Sequence, residues 1–187
     1  MSQLFWYIYR IPVPLVLPII AVVVLIWGMA MRLLARRSPK AVGIINCIAL
    51  TAALGGILYI TVFRNDPGKQ ELILQPFQSF IEAKQQKEMY RELLMNVLLF
   101  VPLGLSLPFV LTRTEDGAWR CRIRCAVLTV LIAVALSVAI EAVQYRFALG
   151  RCETDDVLSN TLGTFFGICA YLLQFIGKKT KKQNCPI

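Results

Sequence analysis

Five long uncharged, mostly apolar runs constrain what this 187-residue chain can fold into. They are Ile11–Met31, Ala41–Phe63, Leu93–Thr112, Cys125–Ile140 and Val157–Gly177. A helix needs roughly 20 such residues to cross roughly 30 Å of hydrocarbon, and the fourth run reaches that length if Glu141 lies in the membrane. Strands that cross lipid are shorter and alternate in polarity, which excludes a barrel. The sequence therefore predicts an all-α, polytopic bundle of about five transmembrane helices, forming one domain over residues 1–187 in the cell membrane.

The formal net charge of +9 is distributed unevenly between the two sides of these spans. On one set of intervening segments Glu115 and Asp116 are the only acids, and the basic residues are Arg32, Arg36, Arg37, Lys40, Arg113, Arg120, Arg122, Arg124, Lys178, Lys179, Lys181 and Lys182. On the other set, basic and acidic residues balance. Positive charge is retained on the cytoplasmic side, so the N-terminus is predicted outside and the C-terminus in the cytoplasm. The basic clusters are interpreted as topology signals that touch membrane lipids, and no nucleic-acid partner is predicted.

Strong polar side chains gather at the predicted outer end of the spans, and the cytoplasmic halves are nearly bare. We hypothesise that they converge in one outward-opening, ligand-binding pocket lined by Asn96, Glu141, Gln144, Arg151, Asp155, Asp156 and Asn160. A carboxylate at the edge of hydrocarbon costs up to a few kcal/mol unless it pairs or faces water. Glu141 is therefore expected to point inward, with Arg151 as its partner.

Several roles remain open for these charges. Arg151 could grip an anionic phosphate or carboxylate, or the charges could form a structural ion pair that staples the loop between the last two spans. Asp155 could cap the fifth helix, and the adjacent acids could offer oxygen ligands to Mg²⁺ or Ca²⁺. No metal site and no cofactor is predicted, and without histidine the Cys-His zinc patterns and Ser-His-Asp hydrolysis are excluded. The cysteines are not expected to form a disulfide scaffold.

Two further patterns bear on packing and on the outer surface. Gly163 and Gly167 form a GxxxG pattern, which predicts close approach by a neighbouring helix. On the third span, Asn96, Phe100 and Gly104 form a comparable stripe. The segment Arg64–Glu92 is too polar to cross the membrane, and it is either an interfacial or re-entrant amphipathic element or an ordinary loop.

Three of these segments carry a family resemblance that covers roughly residues 41–177. The stretch Asn96-Val-Leu-Leu-Phe-Val-Pro-Leu-Gly104 resembles the third-helix signature of the VanZ-like membrane proteins. The signature that follows it is similar to Glu141-Ala-Val-Gln144 together with Arg151-Cys-Glu-Thr-Asp-Asp156-Val-Leu-Ser-Asn160-Thr-Leu-Gly163. Gln75-Pro-Phe77 resembles the short proline-phenylalanine element of the family.

The resemblance implies a role in the cell envelope of a Gram-positive bacterium. The family takes its name from an accessory protein of glycopeptide-resistance clusters that lowers susceptibility to teicoplanin. The implied function is glycopeptide tolerance, through engagement of a lipid or a lipid-linked cell-wall precursor at the outer face. The alternative is an intramembrane enzyme acting on a lipid-linked phosphate or glycan, and whether the chain is an enzyme stays open. A small transporter is disfavoured, because transporters place polar groups near the bilayer midplane.

Overall fold

The computed structural model describes residues 13–63, 69–82, 87–112 and 119–176. Helices α1 and α2 are followed by a π-helical turn, and two short strands interrupt the later helices. The elements are α1 Val13–Arg37, α2 Pro39–Leu58, the π-helical turn Tyr59–Phe63, β1 Lys69–Ile73, α3 Gln78–Glu82, α4 Lys87–Thr112, α5 Trp119–Arg146, β2 Leu149–Glu153 and α6 Thr154–Leu173. The described part of the chain is thus a helical bundle with one very small sheet.

Four helical segments of the described ranges are long and apolar enough to cross a membrane, namely Lys40–Thr61, Met89–Thr112, Trp119–Arg146 and Thr154–Leu173. They confirm the predicted polytopic helix bundle. In lipid every backbone polar group needs an internal partner, which a continuous helix supplies. The first predicted span, Ile11–Met31, lies within the 25-residue helix α1 from Val13 onward, and α1 continues past Met31 to Arg37. The first two residues of that span lie outside the described ranges. A fifth crossing and the orientation of the bundle stay predictions.

Glycines allow the backbones of α4 and α6 to come into direct contact. A Cβ atom added at Gly163 would overlap the carbonyl oxygen of Val97, and one at Gly167 would overlap that of Val101. From the opposite helix, a Cβ at Gly104 would overlap the carbonyl oxygen of Thr164. The prediction that Gly163 and Gly167 face a partner helix is therefore confirmed, and α4 is that helix.

A two-stranded parallel sheet joins the two polar connections of the bundle, and the sequence did not predict it. Strand β1 follows α2, whereas β2 lies between α5 and α6, and Glu71 is paired in register with Arg151. Because the strands pair, both connections lie at one end of the bundle. We call this the sheet end: β1, β2, α3 and the adjoining ends of the long helices.

The segment Arg64–Glu92 is not an ordinary loop where the structure describes it. It contains β1, then a turn in which Phe77 has a positive φ of 66°, then the single helical turn α3. Phe77 and Ile81 expose 60% and 62% of their surface. An apolar surface of this kind suits the headgroup boundary of a bilayer. The interfacial interpretation is therefore favoured.

At the end opposite the sheet, Arg122 is buried, with 1% of its surface exposed. Its guanidinium lies 3.4 Å from the ring centroid of Phe175 and hydrogen-bonds Tyr171, whose hydroxyl is 2.8 Å from the Thr112 hydroxyl. The expectation that Arg122 touches membrane lipid is therefore wrong, as is the expectation of bare helix halves at this end. Its role as a topology signal stays a prediction. Nearby, Cys121 forms a disulfide, which the sequence did not predict.

Candidate polar site at the sheet end

Glu141 lies near the C-terminal end of α5 and points into the protein, with 5% of its surface exposed. The chain leaves α5 through a turn in which Ala148 has a positive φ of 52°, and β2 then runs back past Glu141. The main-chain N–H of Glu153 donates to the Glu141 carboxylate at 3.0 Å, and the Cys152 side chain makes a second hydrogen bond to it. The two donors to Glu141 described here are both uncharged.

Arg151 pairs with two acids that differ from the expected partner. Its Nε lies 2.9 Å from Glu153 Oε1, and its Nη2 lies 3.4 Å from Glu92 Oε2. Nη2 is also 3.7 Å from the sulfur of Met89. Among the described residues the ion pair predicted between Arg151 and Glu141 is not formed. The strand geometry explains this, because alternate side chains of β2 point to opposite faces and Arg151 shares a face with Glu153.

Asp155 is buried and holds the start of α3. Its two carboxylate oxygens accept hydrogen bonds from the main-chain N–H groups of Phe77 and Ser79, at 2.6 Å and 2.7 Å. The Ser79 hydroxyl in turn donates to Glu153. The first N–H groups of a helix have no partner inside it, so a carboxylate there satisfies them. Asp155 therefore caps α3, and the expectation that it caps its own helix is wrong.

Asp156, in the first turn of α6, points away from α3 and lies near Glu141. Its carboxylate hydrogen-bonds Asn96 of α4 and lies close enough to Glu141, Glu153 and Glu92 to be affected by their charges. We use the name acidic cluster for Glu92, Asn96, Glu141, Arg151, Glu153 and Asp156. It combines one cation with four carboxylates at the point where α4, α5, α6 and β2 meet.

Gln144 and Asn160 extend the polar surface by one helical turn on either side of this cluster. Gln144 Nε2 donates to the carbonyl oxygen of Thr61 in the π-helical turn at 3.0 Å. Asn160 Nδ2 donates to the Ser137 hydroxyl of α5 at 2.8 Å. The other amide atoms, Gln144 Oε1 and Asn160 Oδ1, are buried and have no hydrogen-bond partner among the described residues.

Four of the seven candidate residues therefore converge directly: Asn96, Glu141, Arg151 and Asp156. Gln144 and Asn160 border them, and Asp155 faces α3 instead. That these groups line one ligand-binding pocket stays a prediction. Sequence reasoning missed Glu153, which both orients Arg151 and binds Ser79. A signal was present, because Glu153 lies between Arg151 and Asp155 in the same polar run.

Cys152 lies in β2, beside Glu141. Burial raises the pKa of the Cys152 thiol, and the neighbouring Glu141 carboxylate raises it further, both by its charge and by accepting the thiol hydrogen. Both effects disfavour the thiolate. Within the described ranges, no three Cys, Asp or Glu side chains are grouped so that they could hold a metal ion.

The bundle and its acidic cluster define a class: a multi-pass membrane protein that gathers its ionisable side chains at one end of the helices. The family model of VanZ/LLP1 proteins matches residues 48–175, more than half of the chain, and the chain belongs to that family. Protein VanZ of Enterococcus faecium is 32% identical over 95 residues, which are 51% of this chain and 53% of that relative. The match thus spans about half of the relative's length. No solved structure matches the chain significantly.

Proposed function

We propose that this VanZ-family chain acts in the cell membrane of a Gram-positive bacterium and lowers susceptibility to teicoplanin-type glycopeptides. It does so by engaging a membrane lipid or a lipid-linked cell-wall precursor at the acidic cluster. The observation that carries the proposal is the meeting of Asn96, Glu141 and Asp156, from three different helices, at one end of the bundle. Burying uncompensated carboxylates is costly, so a purely structural helix junction would favour apolar residues here.

Several features support binding over phosphate chemistry. Two carboxylates already hold Arg151, and an anionic phosphate would have to displace Glu92 or Glu153 to reach the guanidinium. With the predicted orientation the cluster opens on the outer face, where cell-wall precursors are exposed. The exposed apolar side chains of Phe77 and Ile81 lie at the same end, where they can contact lipid.

A susceptibility panel tests the proposal in a host that lacks the gene, with and without the chain. Teicoplanin-type compounds should require higher inhibitory concentrations when the wild-type chain is expressed. Glu141→Gln and Asp156→Asn should abolish that difference while the protein still accumulates in the membrane. Glu82→Gln is the matched control, because it removes one carboxylate at the same end whose described partner is Gln78.

The same experiment separates a binding role from a structural one. If Glu141 and Asp156 only staple the helices together, each substitution should lower the protein level in step with the phenotype. An unchanged susceptibility for the wild-type chain across the panel would overturn the proposed function.

A further inference from the structure

Among the residues that the structure describes, the acidic cluster has fewer positive than negative charges. The only cation there, Arg151, is shared between Glu92 and Glu153. The hydrogen bonds to Glu141 come from the Glu153 N–H and the Cys152 thiol, and Asp156 is hydrogen-bonded to the Asn96 amide. All three groups are uncharged. Two carboxylates at the ends of membrane-spanning helices are thus left without an ion-pair partner in the described ranges, and this favours a cationic guest.

A buried amide acceptor one turn from Glu141 points to the same kind of guest. Gln144 shares a face of α5 with Glu141 and exposes 8% of its surface. Its Nε2 donates to a main-chain carbonyl oxygen, which can only accept, so the orientation of the amide is fixed. Within the described part of the chain, Gln144 Oε1 is therefore a buried acceptor without a donor. A buried acceptor left unpaired costs free energy, so a ligand that supplies a hydrogen-bond donor would be stabilised there.

A second unsatisfied amide lies in the interface between α5 and α6. Asn160 exposes 3% of its surface and follows Asp156 by one helical turn. Its partner Ser137 precedes Glu141 by one turn on α5, so the amide is directed into the interface just beyond the two carboxylates. Asn160 Oδ1 has no hydrogen-bond partner in the ranges that the structure describes. The amide groups of Gln144 and Asn160 thus lie about one helical turn to either side of the two carboxylates.

We propose that this part of the acidic cluster binds a primary ammonium group, an inference that rests on the proposed function having placed the ligand there. An ammonium group brings positive charge and three N–H donors, which match the carboxylates of Glu141 and Asp156 and one free amide oxygen, such as that of Asn160. A bare Mg²⁺ or Ca²⁺ ion requires oxygen ligands converging at about 2.0–2.6 Å. No grouping of acids in the described ranges meets that requirement. Asp156 and Asn96, at the edge of this group, are partly exposed.

The test uses purified full-length protein in phosphatidylglycerol nanodiscs. Short-chain phosphatidylethanolamine, short-chain phosphatidylcholine and free ethanolamine are added separately, and retained ligand is quantified by native mass spectrometry. The ethanolamine lipid carries a primary ammonium, whereas the choline head group has equal charge and no N–H donor. We expect saturable binding of the ethanolamine compounds, at least roughly tenfold tighter than of the choline lipid, as for the loss of hydrogen bonds to charged groups. Preference for the lipid over free ethanolamine assigns a head group as the source, and equal affinity assigns a free amine.

Asp156→Asn should weaken ethanolamine binding at least roughly tenfold, and Glu82→Gln should leave it unchanged. Equal retention of the choline lipid, no saturable ethanolamine binding, or full binding by Asp156→Asn would each overturn the ammonium site. The choline comparison uses the wild-type protein and stays decisive if a variant does not fold. A glycopeptide phenotype without ethanolamine binding would reject this inference and leave the proposed function intact.

Discussion

The Asp155 carboxylate, in the first turn of α6, accepts a 2.6 Å hydrogen bond from the main-chain N–H of Phe77, a residue 78 positions earlier. Its second oxygen accepts from the N–H of Ser79. One buried side chain thus fixes the turn before α3 to the start of the last helix. This link holds the exposed apolar residues of α3 at the sheet end.

Asp155→Asn should therefore destabilise the sheet end. The substitution removes the charge from two hydrogen bonds, and bonds to charged groups contribute about 1.5–3 kcal/mol each. We expect a loss of about 2 kcal/mol in unfolding free energy in detergent, together with faster proteolysis around α3. Glu82→Gln should change neither quantity. Identical proteolysis of Asp155→Asn and wild type would show that the link does not hold α3.

Gly167→Leu should force α4 and α6 apart, because the new side chain would overlap the backbone at Val101 and Leu105. Overpacking of this kind costs about 1–3 kcal/mol, and here the obstacle is main chain that cannot rotate away. Thermal unfolding in detergent and the yield of folded protein measure the effect. Gly55→Leu is the control, since a Cβ at Gly55 meets no atom of the described residues within 4 Å. Equal stability of the two variants would contradict the packing described for α4 and α6.

Arg122→Lys should lower stability although it preserves the charge on which topology depends. Lysine cannot reproduce the planar stacking on Phe175 together with the hydrogen bond to Tyr171. Cation–π contacts contribute about 0.5–2 kcal/mol, so we expect a loss of at least about 1 kcal/mol. Arg124 lies two positions further along the chain and is exposed, so Arg124→Lys should be neutral. If Arg122→Lys and Arg124→Lys have the same unfolding free energy, the buried contact of Arg122 does not contribute to stability.

The thiol of Cys152 should react slowly with maleimide near neutral pH. Burial and the adjacent Glu141 raise its pKa, so at any pH below that value the reactive thiolate is scarcer than for an exposed cysteine. The labelling rate of a chain retaining only Cys152 should rise at a higher pH than that of a cysteine introduced at the exposed Gln75. Glu141→Gln should shift the profile toward lower pH, because one source of the increase is removed. A profile matching the Gln75→Cys control would contradict the described surroundings of the thiol.

Topology is tested by labelling intact cells with an impermeant maleimide at high pH. In a chain otherwise free of cysteine, Gln75→Cys should react and Ile176→Cys should react only after the cells are opened. The expectation follows from the positive charge of the segments at the end opposite the sheet. The reverse pattern would invert the orientation and place the acidic cluster in the cytoplasm.

The helical spans and the glycine contact were predictable because both depend on local sequence. Lipid forces long apolar runs into helices, and the four-residue spacing of Gly163 and Gly167 places them on one helix face. Arg122 left a weaker signal of the same kind. It is spaced from Cys125 and Thr129 as residues of one buried helix face, yet by composition it resembles its exposed neighbours Arg120 and Arg124.

The sheet and the exact pairing inside the acidic cluster depend on distant segments and were not predictable. Five-residue strands such as β1 carry too few alternations to be distinguished from loop. The sequence alone predicts Glu141 as the partner of Arg151, because the positions of Glu92 and Glu153 relative to Arg151 depend on the strand pairing. Asp155 could not be assigned to α3, since that role requires the turn at Phe77 to be in place.

The pairing of β1 with β2 also sets the order in which the protein can be completed during synthesis. Strand β1 emerges from the ribosome early, but its partner ends at Glu153, after α4 and α5 have been made. Until then the backbone N–H and C=O groups of β1 have no partner strand, and the turn at Phe77 has no Asp155 carboxylate to bind. The sheet end must wait for most of the bundle to be inserted, so a nascent chain stalled after α5 would hold its helices without the structure that joins them.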